Sequence, residues 1–402
     1  MSFQPIDLAN PDFLADPYPT YARLRDMGPL LPMAPGVWLV TRHGVADTVL
    51  RNPGLGRDFA ASAVRRYGPH IMDEPAFRMV GRFLLLMNPP EHTRLRTLLS
   101  KAFGVKQAAE LRRLAMTEAE RLLAKLKGRG TADLVSAFNY PFPIAVICAL
   151  MNLSQADRPL FERETRALVK VLEITPLNPE ELAAANRAAE LFEDYFRHLL
   201  AARRRAPGAD LISLLLRAEE GTDRLSEDEI IANITLLFLA GHETTANMLG
   251  NALWSLFRHP AELAPVRADP ELIGAAVDES LRYEPSVHIA ARTAFRDLSV
   301  EGIAVPAGGL IYVNLGAANR DASVYAEPDR FRLDRPSSEP KALAFGGGIH
   351  YCLGARLARI ELECGLATIL LGLPGLRPEN PDGLRWKPTL TIRGLETLPV
   401  SW

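Results

Sequence analysis

Four glycines gather around one cysteine in Phe345-Gly346-Gly347-Gly348-Ile349-His350-Tyr351-Cys352-Leu353-Gly354-Ala355. Glycine lets a backbone approach a bound group closely and turn its N–H groups toward a sulfur. The run Arg356 to Glu361 that follows reads as a helix, and its positive end favours a thiolate at Cys352. A cysteine so placed is a metal ligand, a nucleophile, or a buried thiol in a glycine-rich turn. A nucleophile would want a positioned His–Asn or His–Asp partner, and the sequence gives no sign of one. Cys148, in the apolar run IAVICAL, and Cys364, on an expected helix, read as structural.

A second unusual stretch is Ala240-Gly241-His242-Glu243-Thr244-Thr245, flanked by strongly apolar ITLLFLA. Ser226-Glu227-Asp228-Glu229 has the form of a capping box and opens a helix that can run to about Phe257, before His259-Pro260. The glycine at its centre costs about 1 kcal/mol relative to alanine. Two readings stand. Another element packs closely on Gly241. Or the Thr244 hydroxyl bonds the Ala240 carbonyl one turn back and opens the helix locally, placing a hydroxyl and a carboxylate beside a ligand. His242 is expected to face away from Ala240 and Thr244.

The elements that must hold these residues follow from proline placement. Of 31 prolines, only those at 141, 143, 159, 176, 179, 207, 260, 265 and 270 lie between residues 92 and 283. Proline breaks helix interiors, so this stretch should be the helical body, joined by 355–372. Residues 181–205 form a clear amphipathic pattern ending in basic side chains, and helix formers dominate 106–127. Short β-prone runs in 30–60, 286–315 and 385–402 suggest a small β-rich part. The fold class is mainly α with a small β subdomain, in one domain spanning 1–402.

Composition excludes several classes. The 402 residues are 48% apolar, with 46 basic and 48 acidic side chains. Disorder and charge-driven nucleic-acid binding do not fit these numbers. Three cysteines make no disulfide framework, and no CxxC pair exists for a thiolate-rich zinc site. No apolar run approaches the ~18 residues of a membrane span. The chain reads as a cytoplasmic protein with no membrane association, expected to be a monomer.

The cysteine loop resembles the haem-binding signature of the cytochrome P450 superfamily, soluble bacterial type. Phe345, Gly348, Cys352 and Gly354 occupy the positions of its FxxGxxxCxG pattern. AGHETT resembles the family's oxygen-activating segment, and Glu279-Ser280-Leu281-Arg282 its ExxR motif. Pro90-Glu91-His92-Thr93-Arg94-Leu95-Arg96 resembles the HxxxR segment, and Arg292 stands where such members carry another propionate-binding arginine. Ala318 to Asp321 and Glu327 to Phe331 resemble the stretch before the loop. The likeness runs through nearly the whole chain in order. Gly347 departs from a frequent histidine, and Asn88 from a frequent aspartate.

This resemblance implies haem b (iron protoporphyrin IX), lying between the long central helix and the cysteine-loop helix. It makes Cys352 the axial thiolate, whose donation favours O–O cleavage. It gives the propionates to His92, Arg96, Arg292 and His350, with Phe345, Gly354 and Ala240 also at the haem. Glu243 and Thr244 become the acid–alcohol pair that delivers protons. Glu279 and Arg282 are structural. By position, Leu236, Leu239, Ala240, Val287, His288 and Thr391 line the substrate wall, under a variable roof at 57–86. The implied activity is a monooxygenase hydroxylating or epoxidising an apolar small molecule, such as a polyketide or terpenoid. A fatty-acid hydroxylase and a non-catalytic haem protein are the alternatives. Electrons must come from a ferredoxin or flavodoxin with its reductase, on a basic face that includes Arg94, Lys101, Arg356 and Arg359.

Overall fold

The computed structural model describes residue 8 and residues 10–104, 108–220 and 223–402. The chain forms two compact units, each assembled from separated segments. The first comprises Met1–Gly56, Ala119–Asn139 and Thr244–Trp402; the second comprises Arg57–Glu118 and Tyr140–Glu243. The helix Glu227–Arg258 passes from the second unit into the first after Glu243.

The first unit holds the β structure. Its five-stranded sheet has the order Leu31–Ala34, Val37–Val40, Leu310–Asn314, Ile289–Ala294, Leu55–Gly56. Only the pairing of Val37–Val40 with Leu310–Asn314 is parallel; the other three are antiparallel. The helix His43–Arg51 lays Val45, Ala46, Val49 and Leu50 on the sheet, against Val40, Ile311 and Val313. Each buried valine, leucine or isoleucine here contributes about 1.5–3 kcal/mol. A hairpin joins Leu298–Val300 to Ile303–Val305 through Glu301 and Gly302, both at positive φ (51° and 79°). That is the backbone of a two-residue turn matched to strand twist.

The β-rich expectation needs two corrections. Within 30–60, residues His43–Arg51 are helical. Within 385–402 the only strand is Pro399–Ser401, which pairs with Arg377–Pro378 and Thr131–Asp133. Proline and glycine in that tail leave two isolated bridges, Val287 to Ile392 and Trp386 to Leu395, in place of longer pairing.

The second unit is helical. Pro179–Arg205 starts two residues before the expected 181, capped by Asn178 and Glu181 in a reciprocal box. Its Phe192 and Phe196 stack with Phe161 and Phe238, the Phe161–Phe238 centroids being 4.6 Å apart. This aromatic stack fixes the rotation of three helices about their axes. In the 106–127 stretch, Ala108–Leu126 is helical, and residues 106 and 107 lie outside the described residues. In the expected roof, Phe77, Met79, Val80 and Leu84 are buried, and Phe77 stacks on Phe59 at 5.8 Å. Packing accounts for these apolar residues.

Candidate functional site

The capping box at Ser226 forms as read. Ser226 N–H donates to Glu229 Oε2 (2.8 Å) and Glu229 N–H to Ser226 Oγ (3.2 Å). The helix then runs 32 residues, Glu227–Arg258, with no interruption at 240–245. Of the two readings, a local opening is not seen as a break in this helix. A Cβ on Gly241 would stand 3.0 Å from Ile147 Cδ1, which supports the close-packing reading.

Burial along this helix selects one face. Ala240 is exposed, and Leu237, Gly241 and Thr244 are half-buried, while Leu239 and Phe238 are fully buried. Positions 237, 240, 241 and 244 share a helical face. Leu237 therefore belongs with Ala240 and Thr244, and Leu239 does not; Leu236, at 9% exposure, lies at the margin. The i, i+3, i+7 spacing back from Thr244 could have found Leu237.

Also in the second unit, Glu243 is buried and accepts a hydrogen bond from the Tyr140 hydroxyl at 2.6 Å. His242 is wholly buried, its ring set edge-on to Tyr140 at 5.0 Å. His92 and Arg96 lie one turn apart on Glu91–Gly104. Burial, with the Arg96 charge second, holds the His92 imidazolium down. Asn88 bonds the backbone of Arg57 twice, accepting from its N–H (2.8 Å) and donating to its carbonyl (2.6 Å). An aspartate could make only the first of these bonds.

The first unit contains the cysteine loop. Leu343–Phe345 and Gly348–His350 are single 3₁₀ turns, and the Cys352 N–H donates to the Phe345 carbonyl at 3.0 Å. The helix Ala355–Gly372 follows, with Gly354 at its N-cap. Cys352 is exposed, whereas Cys148 and Cys364 are buried; burial pushes the Cys148 thiol up to about 12. Gly348 has φ +66°, and a Cβ there would lie 2.5 Å from the Leu50 carbonyl oxygen. At Gly347 a Cβ would lie 3.2 Å from Leu50 Cβ, in tight contact with the helix His43–Arg51.

Glu279 and Arg282 form a buried bidentate pair, with Nε–Oε2 at 2.9 Å and Nη2–Oε1 at 2.7 Å. Arg335, which the sequence did not single out among the arginines near it, donates to the same carboxylate at 2.8 Å. Arg282 also donates to the Asn319 carbonyl, and Asn319 Oδ1 accepts from Leu343 N–H at 2.7 Å. The pair is thereby tied to the start of the cysteine loop.

Arg292 lies in the central strand Ile289–Ala294, 2% exposed. Its guanidinium donates to two backbone carbonyls, Ala291 (3.0 Å) and Leu50 (3.4 Å). Burial lowers it to about 10. No carboxylate among the described residues pairs with it, so the chain leaves a buried cation for an acidic group from elsewhere. This fits a haem propionate.

Of the remaining wall residues in this unit, Val287 and Thr391 lie side by side: Val287 bridges Ile392, and the His288 N–H donates to the Thr391 carbonyl at 2.9 Å. The buried Thr391 hydroxyl has no partner among the described residues. His288 is placed otherwise than expected. Its ring is 2% exposed, bonded through Nδ1 to the Tyr21 hydroxyl (3.1 Å) and 3.8 Å from Glu284. Desolvation and the charges of Arg393 and Arg320 keep it neutral, well below the usual histidine range. It belongs to a buried network and not to an open wall. On the expected basic face, Arg359 is engaged with Asp278 and Glu363 in this unit, and Arg94 with Asp223 and Glu229 in the other. Arg356 and Lys101 are exposed.

No helix among the described residues is long and apolar enough to cross a membrane. The family model for cytochrome P450 matches residues 60–373. The chain is 41% identical over 392 residues to the cytochrome P450 133B2 of Xylella fastidiosa strain Temecula1, covering 98% of each. It is 36% identical to the cytochrome P450 monooxygenase PikC of Streptomyces venezuelae, over 97% of this chain and 92% of that one. Its backbone matches the crystal structure of P450BioI, solved with hexadec-9Z-enoic acid ligated acyl carrier protein, at a TM-score of 0.89 and 32% identity. That match covers 97% of this chain and all of the other. With this fold, cysteine loop and buried Glu–Arg pair, the chain is a member of the cytochrome P450 family of haem-dependent monooxygenases.

Proposed function

We propose that this enzyme inserts one oxygen atom of dioxygen into a bulky apolar small molecule, by hydroxylation or epoxidation, and that the substrate is a secondary metabolite of the polyketide or terpenoid kind. The observation that carries the reading is the open strip on the long helix. Leu237, Ala240 and Thr244 offer a small apolar surface ending in a hydroxyl, beside the Glu243 carboxylate.

Haem b is the cofactor, with Cys352 as its thiolate ligand. Thiolate-ligated haem iron, when bound, supplies the activation of dioxygen. The chain's own work is to hold and protect it. Arg292, His350, His92 and Arg96 are the residues assigned to the propionates. Guanidinium suits the task because its planar fork pairs carboxylates. Phe345 and Gly354 shape the turn around the sulfur. Thr244 positions a proton at its hydroxyl, and Glu243 replenishes it from solvent. Val287 and Thr391 add to the substrate wall. Electrons come from a ferredoxin or flavodoxin with its reductase, in the cytoplasm, to a monomeric enzyme.

A second reading takes a fatty acyl chain as substrate. The structural relative solved with a fatty acid on acyl carrier protein favours it. Titration of the oxidised enzyme with macrolactones, terpenoids, free fatty acids and acyl carrier protein thioesters decides between them, read as the low- to high-spin Soret shift. The first reading expects saturable shifts from macrolactone or terpenoid probes. Shifts from acyl chains alone would replace it by the second.

A further inference from the structure

We propose that Tyr140 is the positioning residue of Glu243: its hydroxyl holds the Glu243 carboxylate in the state and place from which it relays protons. The relay rests on the acid–alcohol reading above; the hold rests on geometry within one unit.

Tyr140 stands at the N-cap of Pro141–Leu150, and Glu243 on Glu227–Arg258. Both are buried, at 4% and 7% exposure. The 2.6 Å distance from Tyr140 Oη to Glu243 Oε1 falls in the range of charge-assisted O–H···O⁻ bonds. A buried carboxylate is costly unless a donor serves it, and a donor favours the ionised form. The phenol supplies that donor on a side chain with few rotamers.

Arg166 and His242 face the phenol. The Arg166 guanidinium lies 4.6 Å from the ring centroid, from the helix Arg158–Val169. Its cation draws on the ring electrons and strengthens the hydroxyl as a donor. Arg166 reaches solvent and pairs with Glu162 at 2.7 Å. The buried His242 ring lies edge-on to the phenol at 5.0 Å. Tyr140 thus couples a surface cation to a buried acid.

Tyr140→Phe removes only the hydroxyl. Haem-loaded wild type, Tyr140→Phe and Glu243→Gln are compared by infrared titration, the Glu243→Gln difference isolating the Glu243 band. The proposal expects Glu243 in Tyr140→Phe to bind its proton at least about tenfold more tightly, one pKa unit. Carboxyl absorption should grow at the expense of carboxylate at neutral pH. Arg166→Gln, an exposed change, should shift the band the same way by less, and serves if Tyr140→Phe does not fold. In a second arm, dithionite-reduced protein is mixed with aerated buffer made in H2O or D2O. The ratio of the two reoxidation rates should change by about twofold or more in Tyr140→Phe. An unchanged infrared titration overturns the proposal. A shifted titration with an unchanged isotope ratio also overturns it, leaving Tyr140 a structural partner only. Failure of the underlying reading looks different: Glu243→Gln itself would leave the isotope ratio of wild type untouched.

Discussion

The guanidinium of Arg282 is forked onto the carboxylate of Glu279, with both side chains at most 3% exposed. Three residues apart on one helix, such a pair in water is worth little. Here it is dry, and Arg335 adds a second cation to the same acid. Removing the acid leaves two guanidinium groups facing each other without a counter-charge. Glu279→Gln should therefore cost about 3–5 kcal/mol. Urea unfolding of the haem-loaded protein measures this, and haem content should fall with it because Asn319 links Arg282 to Leu343. A loss within about 1 kcal/mol would show the pair to be replaceable.

Arg292 should separate the needs of fold and cofactor. Among the described residues its buried charge meets only backbone carbonyls. Arg292→Leu is expected to leave haem-free protein as stable or more stable, since replacing a buried ion with apolar volume is often favourable. The same change should speed haem loss, followed by transfer to apomyoglobin. Equal haem retention in the variant would remove Arg292 from the propionate site.

Gly348 has neither the space nor the backbone angle for a side chain. Left-handed backbone costs a non-glycine residue about 1–2 kcal/mol. A methyl group there also meets the Leu50 carbonyl at 2.5 Å, and backbone does not yield cheaply. Gly348→Ala should displace the loop from His43–Arg51 and reduce the thiolate-type carbon monoxide band relative to total haem. An unaltered band would mean that the loop tolerates the shift.

Glu361 gives a pH signature. Burial raises its carboxyl well above the usual range, the Thr245 hydroxyl offsetting only part, and Oε1 has no partner among the described residues. The folded protein therefore holds its proton more tightly than the unfolded chain, which ionises it above about pH 4.3. The unfolded chain then binds fewer protons, so this residue's contribution declines as pH rises from there toward the raised folded value. Glu361→Gln should be stabilising at pH 7 and indistinguishable from wild type near pH 4. Thermal unfolding across that range checks it. A constant difference would show Glu361 to be ionised in the fold.

Thr244→Ala tests the acid–alcohol pair. Haem content and probe-induced spin shift should persist, while reducing equivalents appear as hydrogen peroxide. Normal coupling of electrons to product would sink the assignment.

Residues with local chemistry were the legible ones. The capping box at Ser226 and the Glu279–Arg282 spacing each state their own geometry, and the structure has both. What escaped were partners supplied from afar. Arg335 is one arginine among several until the fold brings it to Glu279, 56 residues away. Tyr140 precedes a proline and shows nothing of Glu243, 103 residues on. His288 lies where a wall residue was expected, yet Tyr21, from the first fifth of the chain, claims its ring. At Gly241 two readings stood, and Ile147, from another helix, supplies the close approach that one of them named.

Cys352 as the thiolate ligand of haem iron is the assignment on which the other roles depend. The most direct test is the Soret spectrum of the purified protein, reduced under carbon monoxide, before and after Cys352→Ser. The expected result is a strongly red-shifted band in the wild type that is lost in the variant. A band of the histidine-ligated type in folded wild-type protein, or one indifferent to Cys352→Ser, would contradict it.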